Sequence, residues 1–180
     1  MKERLVLVRG RNVSLVAQDK DFGDAENFVK SRPNGSKLLD IIGAHGNKYD
    51  VATVEKYMPE PSLEIGDKKI FTIIHNEDGR YLGDIRFVKT DLVYELGIVI
   101  TEPQKGFGTE TIKLASEYAF NYLSAKSICV RIYQNNPISF KFFTKLGFRY
   151  TSTTNDGYAV NGVSYLEDWL YLDSLQNFPK

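Results

Sequence analysis

The sequence predicts a mixed α/β domain built on a mostly antiparallel central sheet flanked by helices. Three observations carry this. Short β-branched or alternating runs recur on both sides of a long helical pattern at 106–123. Turn signals, Asn76-Glu77-Asp78-Gly79 and Asn161-Gly162, join neighbouring strand patterns as hairpins. The element order is strand, helices, three hairpin-linked strands, helix, strand, helix, two strands, so most sequential strands can pair antiparallel.

Taken in order, residues 12–16 alternate and read as a strand. Asp19-Lys20-Asp21 opens a helical pattern through Phe22, Ala25, Phe28 and Val29, with acidic residues at its positive end. Ser31-Arg32-Pro33-Asn34-Gly35 stops it. The segment 36–66 is weakly patterned. It holds a helical turn at 37–42 and a short helix at 51–58, capped by Asp50 and followed by Pro59. Residues 69–75, 81–88 and 92–100 form a strand meander. The long helix places Phe107, Ile112, Ala115, Tyr118, Ala119 and Tyr122 at helical spacing. A strand at 127–133 leads to a short helix at 138–146, closed by Gly147. Strands at 148–153 and 164–172 finish the chain, with Trp169 read as core.

A length of 180 residues suits one domain, spanning 1–180. Basic and acidic residues number 23 each, and this balance argues against a nucleic-acid partner, which normally meets a basic surface. With 42% hydrophobic and 26% charged residues, the composition is that of a globular chain rather than a disordered one. The single cysteine, Cys129, sits in an apolar run and reads as a buried small hydrophobe. It allows no intrachain disulfide, which fits a reducing cytoplasm. His45, His75 and Cys129 do not make a tetrahedral zinc set, so no metal is expected. The apolar stretch near the N-terminus is too short for a signal peptide, and no run approaches a membrane span. A cytoplasmic protein with no membrane partner is expected.

The informative feature is the join between the third meander strand and the long helix, Tyr94 through Glu110. Gly106 and Gly108 at a helix N-terminus let backbone approach a ligand, and the free amides and helix dipole favour an anion. Lys105 adds a nearby cation. A dinucleotide fingerprint would need a third glycine where Thr111 stands, and no Walker loop is present. The same glycines also suit a plain strand-to-helix turn. A second cluster runs from Asn135 to Phe148, where Asn136 can cap a helix and Ser139 lies one turn in. By itself it reads as a capped, packed helix. Glu95 faces opposite to Tyr94 and Leu96 and is either a candidate base or a solvated carboxylate. The C-terminal acids Asp156, Glu167, Asp168 and Asp173 could draw a cationic amine, or form a solvated edge.

The two clusters together resemble the GNAT superfamily of acetyl-CoA-dependent N-acetyltransferases. The nearest likeness is to the group containing ribosomal-protein N-terminal acetyltransferases and spermidine acetyltransferases. The phrases carrying it are Glu95-Leu96-Gly97-Ile98, Gln104-Lys105-Gly106-Phe107-Gly108-Thr109-Glu110, and Asn136-Pro137-Ile138-Ser139 through Lys145-Leu146-Gly147-Phe148. Gly10-Arg11-Asn12-Val13-Ser14-Leu15, with Asp19 and Asp21, is similar to the group's first strand and helix. The likeness covers about 10–172, and nothing specific matches 35–66.

The resemblance implies a sheet with a splayed strand pair at the cofactor cleft. It implies that the strand segment Ile98, Val99 and Ile100 offers backbone to the pantetheine arm of acetyl-CoA. The loop from Gln104, through the amides of Lys105, Gly106, Phe107, Gly108 and Thr109, would hold the pyrophosphate. Asn136 would bond in the pantetheine region, with Ser139 and the helix carrying Phe143 beside the cofactor. Acetyl would pass by direct attack to a primary amine: a protein N-terminus, a polyamine or another small amine. Glu95, acting through water, would be the base, Ser139 a second catalytic candidate, and Glu167 and Asp168 acceptor contacts. A homodimer is common among similar proteins. Two positions depart from the pattern. Pro103 stands where the family often has Gln or Arg, with Gln104 one residue late. Phe143 replaces a tyrosine that protonates the leaving thiolate, so water, Tyr133 or Tyr150 must serve, or the chain is a CoA-binding regulatory module with little turnover.

Overall fold

The computed structural model describes residues 2–178. The strands are β1 (Val6–Arg9), β2 (Val13–Ala17), β3 (Lys68–His75), β4 (Tyr81–Thr90), β5 (Val93–Ile100), β6 (Ser127–Tyr133), β7 (Arg149–Val160) and β8 (Val163–Leu172). The α-helices are α1 (Asp24–Lys30), α2 (Lys37–Ile41), α3 (Val51–Tyr57), α4 (Phe107–Tyr122) and α5 (Pro137–Lys145). All eight strands form one open sheet in the order β1-β2-β3-β4-β5-β6-β8-β7. Every pairing is antiparallel except β5 with β6, because α4 carries the chain back across the sheet between them. This is the mixed, mostly antiparallel fold that the sequence predicts.

The two faces of the sheet differ. Phe71, Ile85, Leu96, Ile128, Val130 and Leu170 alternate onto one face and pack with Ile112, Ala115 and Ala119 of α4 into the core. The other face carries Asp84, Arg86, Glu95, Arg131 and Glu167, by the same alternation and register. There the segment after α1 is anchored by a buried ion pair, Arg32 to Asp84 at 2.7 Å.

Three elements differ from the sequence reading. Val6–Arg9 is an additional edge strand, too short to show a period. The first helix begins late: Lys20–Phe22 is a separate 3-10 turn capped by the Asp19 side chain, and Gly23, at φ 71°, starts the chain anew before α1. β7 runs on to Val160, beyond the expected 148–153. Asn155, Asp156 and Gly157 hide that extension in the sequence, and the register shifts between Thr154 and Tyr158. A Cβ on Gly157 would lie 1.6 Å from the Tyr165 carbonyl oxygen, so only glycine permits that approach. Among the described residues, no helix is long and apolar enough to cross a membrane.

Candidate active site

β5 and β6 pair only at Val93–Ser127, Tyr94–Ile128 and Glu95–Cys129. Beyond Glu95 the strands part, and β6 continues against β8 alone. The direction of the freed groups follows from two flanking bonds. Lys126 N–H donates to the Leu92 carbonyl on the β6 side, and Thr101 N–H donates to the Leu82 carbonyl on the β4 side. Backbone alternation then turns the peptide groups of Leu96, Ile98 and Ile100 toward the gap, where no strand partners them. The gap opens a cavity of about 400 Å³ that reaches from the α1–α2 segment to α5. Ile98, Val99, Tyr133, Asn136, Ser139 and Phe143 all line it.

Past β5 the chain reaches the N-terminus of α4. Gln104 and Gly106 both have positive φ, 66° and 83°. Gly106 caps the helix without a side-chain acceptor, so the first amides of α4 have no competing cap. The ring of Phe107 is buried against His75, with centroids 5.5 Å apart. A Cβ on Gly108 would make ordinary contacts, 3.5 Å to Phe142 and 3.6 Å to Ile100. Glu110 accepts from the Asn12 backbone and side-chain amides, both at 2.8 Å, and ties α4 to the β1–β2 turn. Burial would raise its carboxyl, but the amides of Asn12 and Val13 hold it below the usual range. Lys105 does not stand alone. Its Nζ donates to Glu102 at 2.8 Å, and Arg80 Nε donates to the same carboxylate at 3.0 Å. The bonds from Arg80 and then Lys105 pull the Glu102 carboxyl down to about 2.

On the far wall, the Asn136 Oδ1 accepts from the Ser139 amide at 3.2 Å and caps α5. Its Nδ2 donates to the Ile41 carbonyl at 3.4 Å, which docks α2 onto the same end. Phe143 is buried between Phe142 and Phe148, at ring separations of 5.0 and 5.2 Å. Of the two tyrosines weighed as substitutes, Tyr133 lines the cavity, while Tyr150 is exposed and bonded to Thr153. Burial, and then the Glu167 carboxylate, push the Tyr133 hydroxyl up to about 12.

A charged ladder crosses the sheet at the base of this cavity. Glu95 Oε1 accepts from Arg86 Nη2 at 2.7 Å and Arg131 Nη2 at 3.2 Å, and its Oε2 accepts from Arg131 Nε at 3.0 Å. Arg131 Nη1 donates to Glu167 at 3.3 Å. Strand alternation puts the two carboxylates expected as acceptor contacts on opposite faces. Glu167 lies on the ladder face, while Asp168 lies on the opposite face and accepts from Thr153 Oγ1 at 2.6 Å. Trp169 is not core: it lies half-buried on the ladder face, 5.6 Å from the Arg131 guanidinium, and donates to Thr154. Cys129 is buried as expected, and burial followed by the Glu95 charge pushes its thiol up to about 12. The sequence reading passed over Arg86 and Arg131. Their one local signal is a charged residue in alternating strands whose neighbours, Ile85, Phe87, Val130 and Ile132, are apolar.

Residues 22–149 match the acetyltransferase (GNAT) domain. Over 105 residues the chain is 32% identical to an N-acetyltransferase 9-like protein of Caenorhabditis briggsae, and the match covers 49% of this chain and 53% of that relative. The chain thus matches about half the length of that curated relative. The fold is similar to a spermidine N-acetyltransferase of Vibrio cholerae solved with CoA and spermine, at TM-score 0.76 and 16% identity, covering 89% of this chain and 94% of that one. It is also similar to a GCN5-related N-acetyltransferase of Brucella melitensis, at TM-score 0.74 and 20% identity, covering 95% of this chain and 79% of that one.

Proposed function

Because this chain belongs to the acetyltransferase (GNAT) domain family, we propose that it transfers an acetyl group from acetyl-CoA to a primary amine by direct attack. The observation that carries this reading is the unpartnered edge of β5, running straight into the glycine-capped start of α4. Ile98 and Ile100 there present backbone donors and acceptors to an extended, amide-bearing pantetheine arm. The amides from Lys105 to Thr109, at a positive helix end, suit a pyrophosphate. Acetyl-CoA fits this donor set, with Asn136, Ser139 and Phe143 as the opposite wall.

In the reaction, an N–C bond forms as the C–S bond breaks. A β5 amide polarises the thioester carbonyl, where negative charge develops. The attacking nitrogen loses its proton to water. Tyr133 gives its proton to the departing thiolate, in place of the hydroxyl that Phe143 lacks. Glu95 keeps both oxygens on Arg86 and Arg131 and acts as a positioning residue. We read the described residues as one catalytic domain working in the cytoplasm, in keeping with a single, buried thiol.

Acetyl-CoA at about a hundred times its Kd is expected to add about 2.7 kcal/mol. For a chain of this size that is a rise in Tm of roughly 5–10 °C. Gly108→Glu should abolish the shift and Gly108→Ala should keep it, since an added Cβ makes only ordinary contacts. No shift at millimolar acetyl-CoA would sink the reading. A shift with no thiol release for any amine would leave a CoA-binding module instead.

A further inference from the structure

The acceptor half of the cavity does not look like a polyamine site. Among the described residues, the charged side chains lining the cavity are Arg32, Lys68, Arg86, Arg131 and one carboxylate, Asp84. Asp84 is already taken: it bonds Arg32 at 2.7 Å and accepts the Tyr81 hydroxyl at 2.9 Å. The two carboxylates of the ladder stand behind their arginines. Glu95 and Glu167 are 13% and 1% exposed, whereas Arg86 and Arg131 are 36% and 33% exposed. What a ligand meets is therefore guanidinium. A guanidinium carries several N–H donors. The Arg86 bond to Glu95 occupies only Nη2 and Nε is buried, so Nη1 is the nitrogen left open, while each Arg131 nitrogen already bonds Glu95 or Glu167 once.

Carboxylates placed behind arginines fix the direction of the fork, and each Nη keeps a second N–H for a ligand. Such a wall offers a second ammonium group no free carboxylate and receives a carboxylate. Resting on the acetyl-transfer reading, we propose that the acceptor is an amine that carries a carboxylate within a few atoms of its nitrogen, held by Arg86 and Arg131. A free amino acid and a peptide with an acidic residue next to its N-terminus share that chemistry.

The test is thiol release at saturating acetyl-CoA with matched acceptors: γ-aminobutyrate, n-butylamine, spermidine, and two peptides whose second residue is acidic or basic. The expected result is a kcat/KM at least roughly tenfold higher for γ-aminobutyrate or the acidic peptide than for its matched partner, with spermidine poorest. Whichever carboxylate acceptor is faster identifies the source. Arg86→Gln and Arg131→Gln should each raise KM for that acceptor and erase the preference, with KM for acetyl-CoA unchanged. A binding arm runs beside it: γ-aminobutyrate or the acidic peptide, but not n-butylamine, should raise the Tm of the CoA complex. Faster turnover of spermidine, equal rates across each pair, or a preference surviving both arginine variants would overturn the proposal. So would a CoA complex that no carboxylate acceptor stabilises. Loss of the acetyl-CoA shift itself would instead overturn the parent reading.

Discussion

Tyr133 is the side chain proposed to protonate the leaving thiolate. Tyr133 lines the cavity that Phe143 also lines, and burial with Glu167 raises its hydroxyl to about 12. It is therefore protonated across the working range, as a donor to a thiolate must be. Tyr133→Phe should lower kcat by about 10²-fold, the lower end of general acid catalysis, with KM for acetyl-CoA unchanged. The sign of the pH effect follows from the raised value. The donating form is complete below pH 10 and is lost only as pH approaches about 12. The wild-type kcat should stay flat to about pH 10, where a tyrosine of ordinary pKa near 10 would already be half lost. In the same profiles Glu95→Gln should raise the acceptor KM and leave the limbs where they are. Loss of an acid limb in that variant would instead make Glu95 the base. Cys129, buried and with a raised thiol, should not consume thiol reagents in these assays.

At the scale of elements, the loop into α4 is held by an ion cluster. Glu102 accepts from Arg80 and Lys105, which fastens the β4 end to the turn before Gly106. Its carboxyl is held at about 2, below the ordinary carboxylate value, so its stabilising contribution is complete above pH ~4.5. That contribution is lost as pH falls through about 2. The Tm difference between wild type and Glu102→Gln should therefore be constant from pH 7 to pH 5 and close between about 4.5 and 2. A gap that persists at the acid end would show that the variant perturbs the loop by another route. The loop was legible in the sequence because its signals are local: glycine at a left-handed position and an uncapped helix start. The Asn136 cap was legible for the same reason. The ladder was not, because Arg86, Glu95, Arg131 and Glu167 come from four strands, and only the register brings them side by side. Alternation alone told which face Glu95 takes, not that two arginines wait there. Glu167 and Asp168 part for the converse reason: adjacency in a strand means opposite faces. The Gly23 break and the extension of β7 past Gly157 are tertiary choices that local propensity opposes.

Across the whole molecule, the two faces of the sheet are covered by different means. α4 and α5 seal one face with apolar packing. The other face bears charge at its centre, and its cover from Asp24 to Tyr57 includes three short helices that bury few residues. One contact fixing that cover is Arg32 with Asp84, where the side chains are only 5% and 7% exposed. The Arg32 guanidinium also lies 3.8 Å from the centroid of Phe28 in α1. Removing one partner strands the other charge in the interior, which costs about 3–5 kcal/mol, whereas replacing both by apolar groups of similar volume is often neutral. Asp84→Ala should thus lower Tm by roughly 10 °C. Arg32→Met combined with Asp84→Leu should recover most of that loss. Because both residues line the cavity, the double variant should retain the acetyl-CoA shift while its acceptor KM rises. An Asp84→Ala loss under about 1 kcal/mol would mean that the other contacts of the cover hold it, and the acceptor wall would then owe its shape to the helices rather than to the buried pair.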